Sequence, residues 1–252
     1  MPHGMRVENL HAWFGDVHAL KGVDLELPAG AVTAVMGPSG CGKSTLIRCL
    51  NRLHETRPNT RVQGRVLLGD RDIYEPRRDP AEVRRRIGLV FPEPNPFPNL
   101  SIFDNVAAGL KLNGVRDNVR LAERVEACLV AVGLWGEVNA RLRASALSLS
   151  TGQRQRLCIA RALALEPEAL LMDEPTYALG PIATARVEDL LQALGKTYTV
   201  VVATHDLQQA ARVSDHTAFL LDGELVECGP TGRLFTAPQD ERTESYLTGR
   251  FG

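Results

Sequence analysis

The sequence has no apolar run approaching the roughly 20 residues needed to span a bilayer. Any service to a membrane is therefore expected to come from outside it, through a partner. The opening residues MPHGMRVENL lack the charged-then-apolar layout of a secretion signal. The cysteines Cys41, Cys49, Cys128, Cys158 and Cys228 are scattered, with no CxxC pair and no His-rich spacing. That argues against a zinc site or a disulfide framework and suits a reducing cytosol. The formal net charge is only −1, so there is no long-range pull toward nucleic acid or anionic lipid, and no nucleic-acid partner is expected. Arginines cluster at Arg77-Arg78 and Arg84-Arg85-Arg86, where a solvated helix face is the ordinary reading. Internal repeats and low-complexity segments are missing as well.

What is present is an ordinary globular composition, 44% hydrophobic and 23% charged over 252 residues. One compact domain, or a core carrying an inserted subdomain, fits that length. Val23, Leu25 and Leu27 alternate as in an antiparallel strand that ends at Pro28-Ala29-Gly30. Residues 31–36 form a continuous apolar run, as expected of a strand buried on both faces. A glycine-rich turn follows, then helical spacing from Lys43 to Leu53. Residues 90–165 open on a proline-dense loop, Pro92 to Pro98, and continue as helices, clearest at 104–112 and 119–132. From 166 the α/β alternation returns, with buried strands at 170–172 and 200–203 and helices at 182–194 and 206–213. The first of these helices presents Ile182, Val187, Leu190, Leu191 and Leu194. The pattern predicts a parallel-sheet core, about 1–89 and 166–252, interrupted by a helical insertion at about 90–165.

Gly37-Pro38-Ser39-Gly40-Cys41-Gly42-Lys43-Ser44-Thr45 fits the phosphate-loop pattern G-x-x-x-x-G-K-[ST]. Its glycines let successive backbone N–H groups converge on phosphate oxygens. Lys43 adds a point charge, Ser44 a hydroxyl for Mg²⁺, and the following helix its positive end. Strand, glycine turn and helix are the context such a loop requires. The loop alone would equally suit a kinase, a GTPase or a motor.

Leu170-Leu171-Met172-Asp173-Glu174 is an apolar strand ending in two acids. Asp173 can hold Mg²⁺ through water, and Glu174 can polarise a water attacking a γ-phosphate. Surface acids after strands are common, so this pair is weak by itself. Upstream lie Leu149-Ser150-Thr151-Gly152-Gln153 and Arg154 to Ala162; downstream, His205 follows a buried strand. In that order the motifs resemble the ABC ATPases, and the likeness covers nearly the whole chain. The resemblance implies a single ABC nucleotide-binding domain: a RecA-like P-loop core with an antiparallel β subdomain and an inserted helical subdomain. It also implies a head-to-tail dimer, with ATP between one subunit's phosphate loop and the other's signature.

Carried over, the ATP-binding residues are Phe14, stacking on adenine in preference to Trp13, the loop from Gly37 to Thr45, and the signature residues Ser150, Gly152 and Gln153. Ser150 would donate by its hydroxyl and Gly152 by its N–H. Ser44 and Asp173 would hold Mg²⁺, Glu174 would be the general base, and His205 would contact the γ-phosphate, with Lys43 beside them. Further stretches, Gly37–Arg52, Pro94–Pro98, Gln208–Asp215 and Thr248–Gly252, resemble the ATPase of bacterial phosphate-specific importers. That implies ATP-driven uptake of inorganic phosphate through two membrane-spanning permease subunits fed by an external binding protein, with this chain peripheral on the cytoplasmic face. An importer for another solute, such as amino acids, and a regulatory ABC subunit with weak or no hydrolysis remain as alternatives.

Three positions depart from the family pattern. Pro92 follows Phe91 where a Mg²⁺-binding, γ-phosphate-sensing glutamine is usual, and Glu93 is one residue out of place. Thr151 replaces the first glycine of the signature, and Gly180 in Tyr177-Ala178-Leu179-Gly180 replaces an aspartate. Phosphate binding should survive all three, with hydrolysis working but slower.

Overall fold

The computed structural model describes residues 3–250, so Phe251 and Gly252, which end one of the resembling stretches, lie outside the described residues. In chain order the elements begin with β1 (Met5–Phe14), β2 (Val17–Leu27), β3 (Val32–Met36), α1 (Lys43–Cys49), β4 (Thr60–Leu68), β5 (Arg71–Asp72), α2 (Pro80–Arg86) and β6 (Ile87–Val90). Helices α3 (Ile102–Leu112), α4 (Asn118–Ala131), α5 (Trp135–Val138) and α6 (Thr151–Leu163) follow. The chain then runs through β7 (Ala169–Asp173), α7 (Pro181–Gly195), β8 (Thr199–Thr204) and α8 (Leu207–Val213). It closes with β9 (His216–Leu221), β10 (Glu224–Pro230), α9 (Thr231–Thr236) and α10 (Glu241–Leu247).

Internal contacts divide these elements into two compact units. One holds the residues up to Leu89, Glu168–Glu174 and the chain from Leu191 onward; the other holds Val90–Pro167 and Pro175–Leu190. The first contains a four-stranded antiparallel sheet, β2-β1-β4-β5, and a six-stranded sheet ordered β10-β9-β3-β8-β7-β6. In the larger sheet β3 pairs in parallel with β8 and β9, and β7 with β8, while β10 returns antiparallel on β9. Every residue of β3, β7 and β8 is buried, which is why these segments read as continuous apolar runs rather than alternating ones. On β2, by contrast, Val23, Leu25 and Leu27 turn inward between exposed neighbours.

Three local expectations need correction. Helix α1 stops at Cys49 with Leu50 as its cap, short of Leu53, because Arg52 adopts a left-handed φ of 61° and the chain turns away. Ile182 does not join the buried stripe of α7: it is 77% exposed, whereas Val187, Leu190, Leu191 and Leu194 are buried. At about 100° per residue Ile182 lies roughly 180° around the helix from Leu191, so the period itself excludes it. The arginine clusters are not simply solvated. Arg86 forms a fork with Glu168, Arg84 donates to the Arg52 carbonyl at 2.7 Å, and Arg78 pairs with Glu75 at 2.9 Å. Only Arg77 and Arg85 are exposed as a solvated face would be.

The second unit is helical, with α3, α4 and α6 packed together. Pro175–Leu190, which the patterning groups with the α/β core, belongs to this unit. The cause is contact between segments remote in sequence: a Cβ on Gly152 would come within 2.6 Å of the Ala183 Cβ, and Arg186 reaches Glu137 at 3.1 Å.

Candidate nucleotide site

The phosphate loop sits between β3 and α1, and its backbone explains its glycines. Gly37 has no room for a side chain: a Cβ there would lie 2.1 Å from the Leu220 carbonyl oxygen and 2.7 Å from the Cys41 Sγ. Gly42, at φ 111°, forms the left-handed cap from which α1 starts. Lys43 is 5% exposed, and its ammonium donates to the carbonyls of Gly37 at 2.8 Å and Pro38 at 2.9 Å. The positive charge is thereby held inside the turn. Around it opens a cleft of about 470 Å³ whose lining includes Phe14, Ser39, Gly40, Lys43, Thr45 and Glu174. That is within the roughly 300–1,000 Å³ typical of small-molecule sites.

Ser44, which lines this cleft, meets Asp173, distant in sequence: the serine hydroxyl donates to the carboxylate at 2.8 Å. Asp173 is 2% exposed. Burial pushes its carboxyl above the usual carboxylate range, against the pull of the Ser44 hydroxyl and the charges of Arg48 and Lys43. A hydroxyl and a buried carboxylate are hard oxygen donors of the kind Mg²⁺ takes alongside substrate phosphates. Among the described residues no group of three or more His, Cys, Asp or Glu could hold a metal by itself. The donor set therefore suits an ion that is bound with phosphate.

Glu174 stands one residue beyond the strand, with φ +44°, a left-handed conformation costly for a non-glycine residue. Its N–H donates to the Ala203 carbonyl at 2.9 Å, which extends the β7–β8 pairing by one step. Its Oε2 lies 3.0 Å from the Nδ1 of His205, which is placed by the end of β8. The strained turn thus brings the carboxylate, which lines the cleft, against the histidine.

Of the two candidate aromatics, Phe14 lines the cleft, backed edge-on by His54 at 4.5 Å between ring centroids. Trp13 is occupied elsewhere, stacked on His18 at 4.5 Å with the Arg61 guanidinium over its ring at 4.0 Å.

The signature residues belong to the second unit, at the start of α6. Ser150 is the N-cap, and Ser150 and Gln153 form a reciprocal capping box. Gln153 also donates to Glu137 at 2.7 Å, so its amide shapes the helix start. Thr151 is exposed in the first turn, clear of the cap.

Glu137 carries no motif, and the sequence reading missed it. It gathers Gln153, Arg156 at 2.9 Å and Arg186 at 3.1 Å. Burial raises its carboxyl, but these hydrogen bonds and positive charges outweigh that and leave it below the usual range. Gly180 is open: a Cβ there would meet nothing within 4 Å, and its carbonyl accepts from Thr184 at the start of α7. Glu93, the one-residue-shifted candidate, is exposed.

Comparison with known proteins agrees with this geometry. A family described as ABC transporter matches residues 20–177. The chain is 55% identical over 250 residues to the phosphate import ATP-binding protein PstB of Koribacter versatilis (strain Ellin345), covering 99% of each. It is 53% identical over 248 residues to the protein of the same name in Salinibacter ruber (strain DSM 13855 / M31), covering 98% of each. Among solved structures it is similar to cbiO1 from Clostridium perfringens, part of the ABC transporter complex cbiONQ. That match has a TM-score of 0.81 at 28% identity and covers 99% of this chain and 97% of that one. A second is the dimeric, post-hydrolysis state of the ATP-binding cassette MJ0796 bound to ADP and Pi. It has a TM-score of 0.75 at 30% identity and covers 90% of this chain and 98% of that one.

Proposed function

We propose a mechanism on the premise that this chain belongs to the ABC transporter family and, within it, to the PstB-type ATP-binding subunits. The chain hydrolyses ATP to drive phosphate import. One observation supports the assignment of roles: the phosphate loop, Ser44 and Glu174 line one cleft, with Asp173 bonded to Ser44 and His205 beside Glu174.

In this reading Phe14 stacks on the adenine, and the backbone N–H groups from Gly37 to Thr45, with Pro38, Ser39, Gly40, Cys41 and Gly42 shaping the turn, bind the phosphates. The Lys43 ammonium leaves its carbonyl partners for the β- and γ-phosphate oxygens. Ser44 and Asp173 would hold Mg²⁺, which supplies neutralisation of phosphate charge when bound. Glu174 accepts a proton from the attacking water as its oxygen bonds to the γ-phosphorus and the bond to the ADP oxygen breaks. His205 holds the Glu174 carboxylate and the water in line. Ser150, Gly152 and Gln153 of a second copy would close the site as a helix N-terminus facing the γ-phosphate.

The same reading places the chain on the cytoplasmic face of the membrane as a peripheral dimer, on two membrane-spanning permease subunits supplied by an external phosphate-binding protein. The absence of a helix long and apolar enough to cross a membrane, among the described residues, is compatible with that placement. The domain assignment proposed is a RecA-like core with an antiparallel subdomain and a helical subdomain. A second reading, ATP binding with little hydrolysis, draws support from Pro92, which offers no side-chain oxygen at the loop. ATP turnover of the chain assembled with its membrane partners separates the two. Turnover well above that of Glu174→Gln supports the first, and equality supports the second. Phosphate-dependent uptake by a strain lacking the gene, restored by this chain, tests the solute.

A further inference from the structure

Gln155 lies on α6, beyond the signature residues, and is completely buried. Its Nε2 donates two hydrogen bonds, to the Phe91 carbonyl at 3.0 Å and to the Pro175 carbonyl at 2.9 Å. All three residues belong to the second unit. An amide nitrogen has two N–H groups, and both are used on backbone oxygens.

The two carbonyls are well chosen. Phe91 immediately precedes Pro92, where the side chain expected to sense the γ-phosphate is missing. Pro175 immediately follows Glu174, whose φ of +44° persists only if the surroundings over-determine it. On its N-terminal side Glu174 is fixed by its N–H bond to Ala203. On its C-terminal side comes a proline ring with a locked φ. The next fixed point along the chain is the Pro175 carbonyl, held by Gln155. Further along α6 a second side chain grips the proline loop. Arg161 donates to the Asn95 backbone carbonyl at 2.9 Å and side-chain oxygen at 2.8 Å, with its guanidinium over the Phe97 ring at 4.7 Å.

We propose that Gln155 is a positioning residue for hydrolysis: its amide ties the peptide entering Pro92 and the peptide leaving Pro175, one residue beyond Glu174, to the helix that starts at Ser150. The signature, the proline loop and the backbone behind the general base are thereby referred to one buried side chain. This inference rests on the hydrolytic reading above.

The test uses the chain assembled with its membrane partners. Gln155→Met keeps length and volume but donates nothing; Gln155→Glu keeps shape but turns carboxylate oxygens toward two carbonyls. Since small misplacements of a catalytic group cost much in rate, kcat should fall at least about tenfold in Gln155→Met, with KM for ATP within about twofold of the parent. Gln155→Glu should fall further. Hydrogen exchange should quicken at 91–97 and 176–180 in Gln155→Met and stay unchanged at 37–45. Unchanged kcat in a folded Gln155→Met, kcat and KM changing together, or unchanged exchange at 91–97 and 176–180 would overturn the proposal. A parent turnover no higher than that of Glu174→Gln would instead defeat the hydrolytic reading, and the exchange measurement would still decide whether Gln155 holds the two segments.

Discussion

Single residues carry the proposed chemistry of this site, and two of them sit there at an energetic cost. Glu174 sits in a left-handed turn, and Asp173 keeps a carboxyl in a place where burial raises its pKa. A raised pKa means the folded state holds the proton more tightly than the unfolded chain. The stability attached to Asp173 is therefore full below the ordinary carboxylate pKa and declines as pH rises through the raised one. Asp173→Asn should consequently be at least as heat-stable as the parent at pH 7–8 without nucleotide (roughly pH 7–8 being above any ordinary carboxylate range). It should lose the Mg²⁺-dependent part of stabilisation by ATP, as thermal denaturation with and without Mg²⁺ would read. Glu174→Gln should retain ATP binding while turnover falls by about 10²–10⁴, the range for a lost general base. These residues stand out in the sequence because each lies inside or at a fixed offset from a motif. The sequence prefers Phe14 over Trp13 only by order along the chain; the His18 stack and Arg61 that occupy Trp13 are cross-strand neighbours.

Secondary-structure elements position those residues, and here the sequence spoke less clearly. Gly152 was readable as an N–H donor, yet its steric role depends on Ala183 from a helix far along the chain. Gly152→Ala should cost about 1–3 kcal/mol through overpacking and lower turnover, measured by denaturant unfolding and ATPase assay. Gly180 precedes Pro181 at the start of α7 and has open space around it. Gly180→Asp should therefore fold with stability within a few tenths of a kcal/mol, since both residues serve as N-caps. With Pro92→Gln it should raise turnover; no gain would mean these positions do not limit the rate. The arginine cluster was misread because its partner, Glu168, is remote in sequence. Hydrogen bonds from Arg86 hold the Glu168 carboxyl below its usual range, despite partial burial. Its contribution is present above the ordinary carboxylate pKa and is lost as pH falls through the depressed one. Arg86→Met should cost about 1 kcal/mol at neutral pH and progressively less in acid, as denaturation across pH would show.

At the scale of the whole molecule, the alternation of apolar strands and amphipathic helices was enough to foresee a parallel-sheet α/β chain with a helical segment after β6. It did not foresee that Pro175–Leu190 would cluster with the helices, because that grouping is made by Gly152–Ala183, Gln155–Pro175 and Glu137–Arg186, none of them local. The nucleotide cleft lies wholly within the first unit, and the signature wholly within the second. In the proposed function a second copy of the chain completes the site, so turnover should depend on assembly. The most direct test is ATP turnover by the complex of this chain with its membrane partners, with Glu174→Gln alongside. The account predicts steady hydrolysis in the parent, at least about a hundredfold above the variant. Equal rates in the two would contradict it.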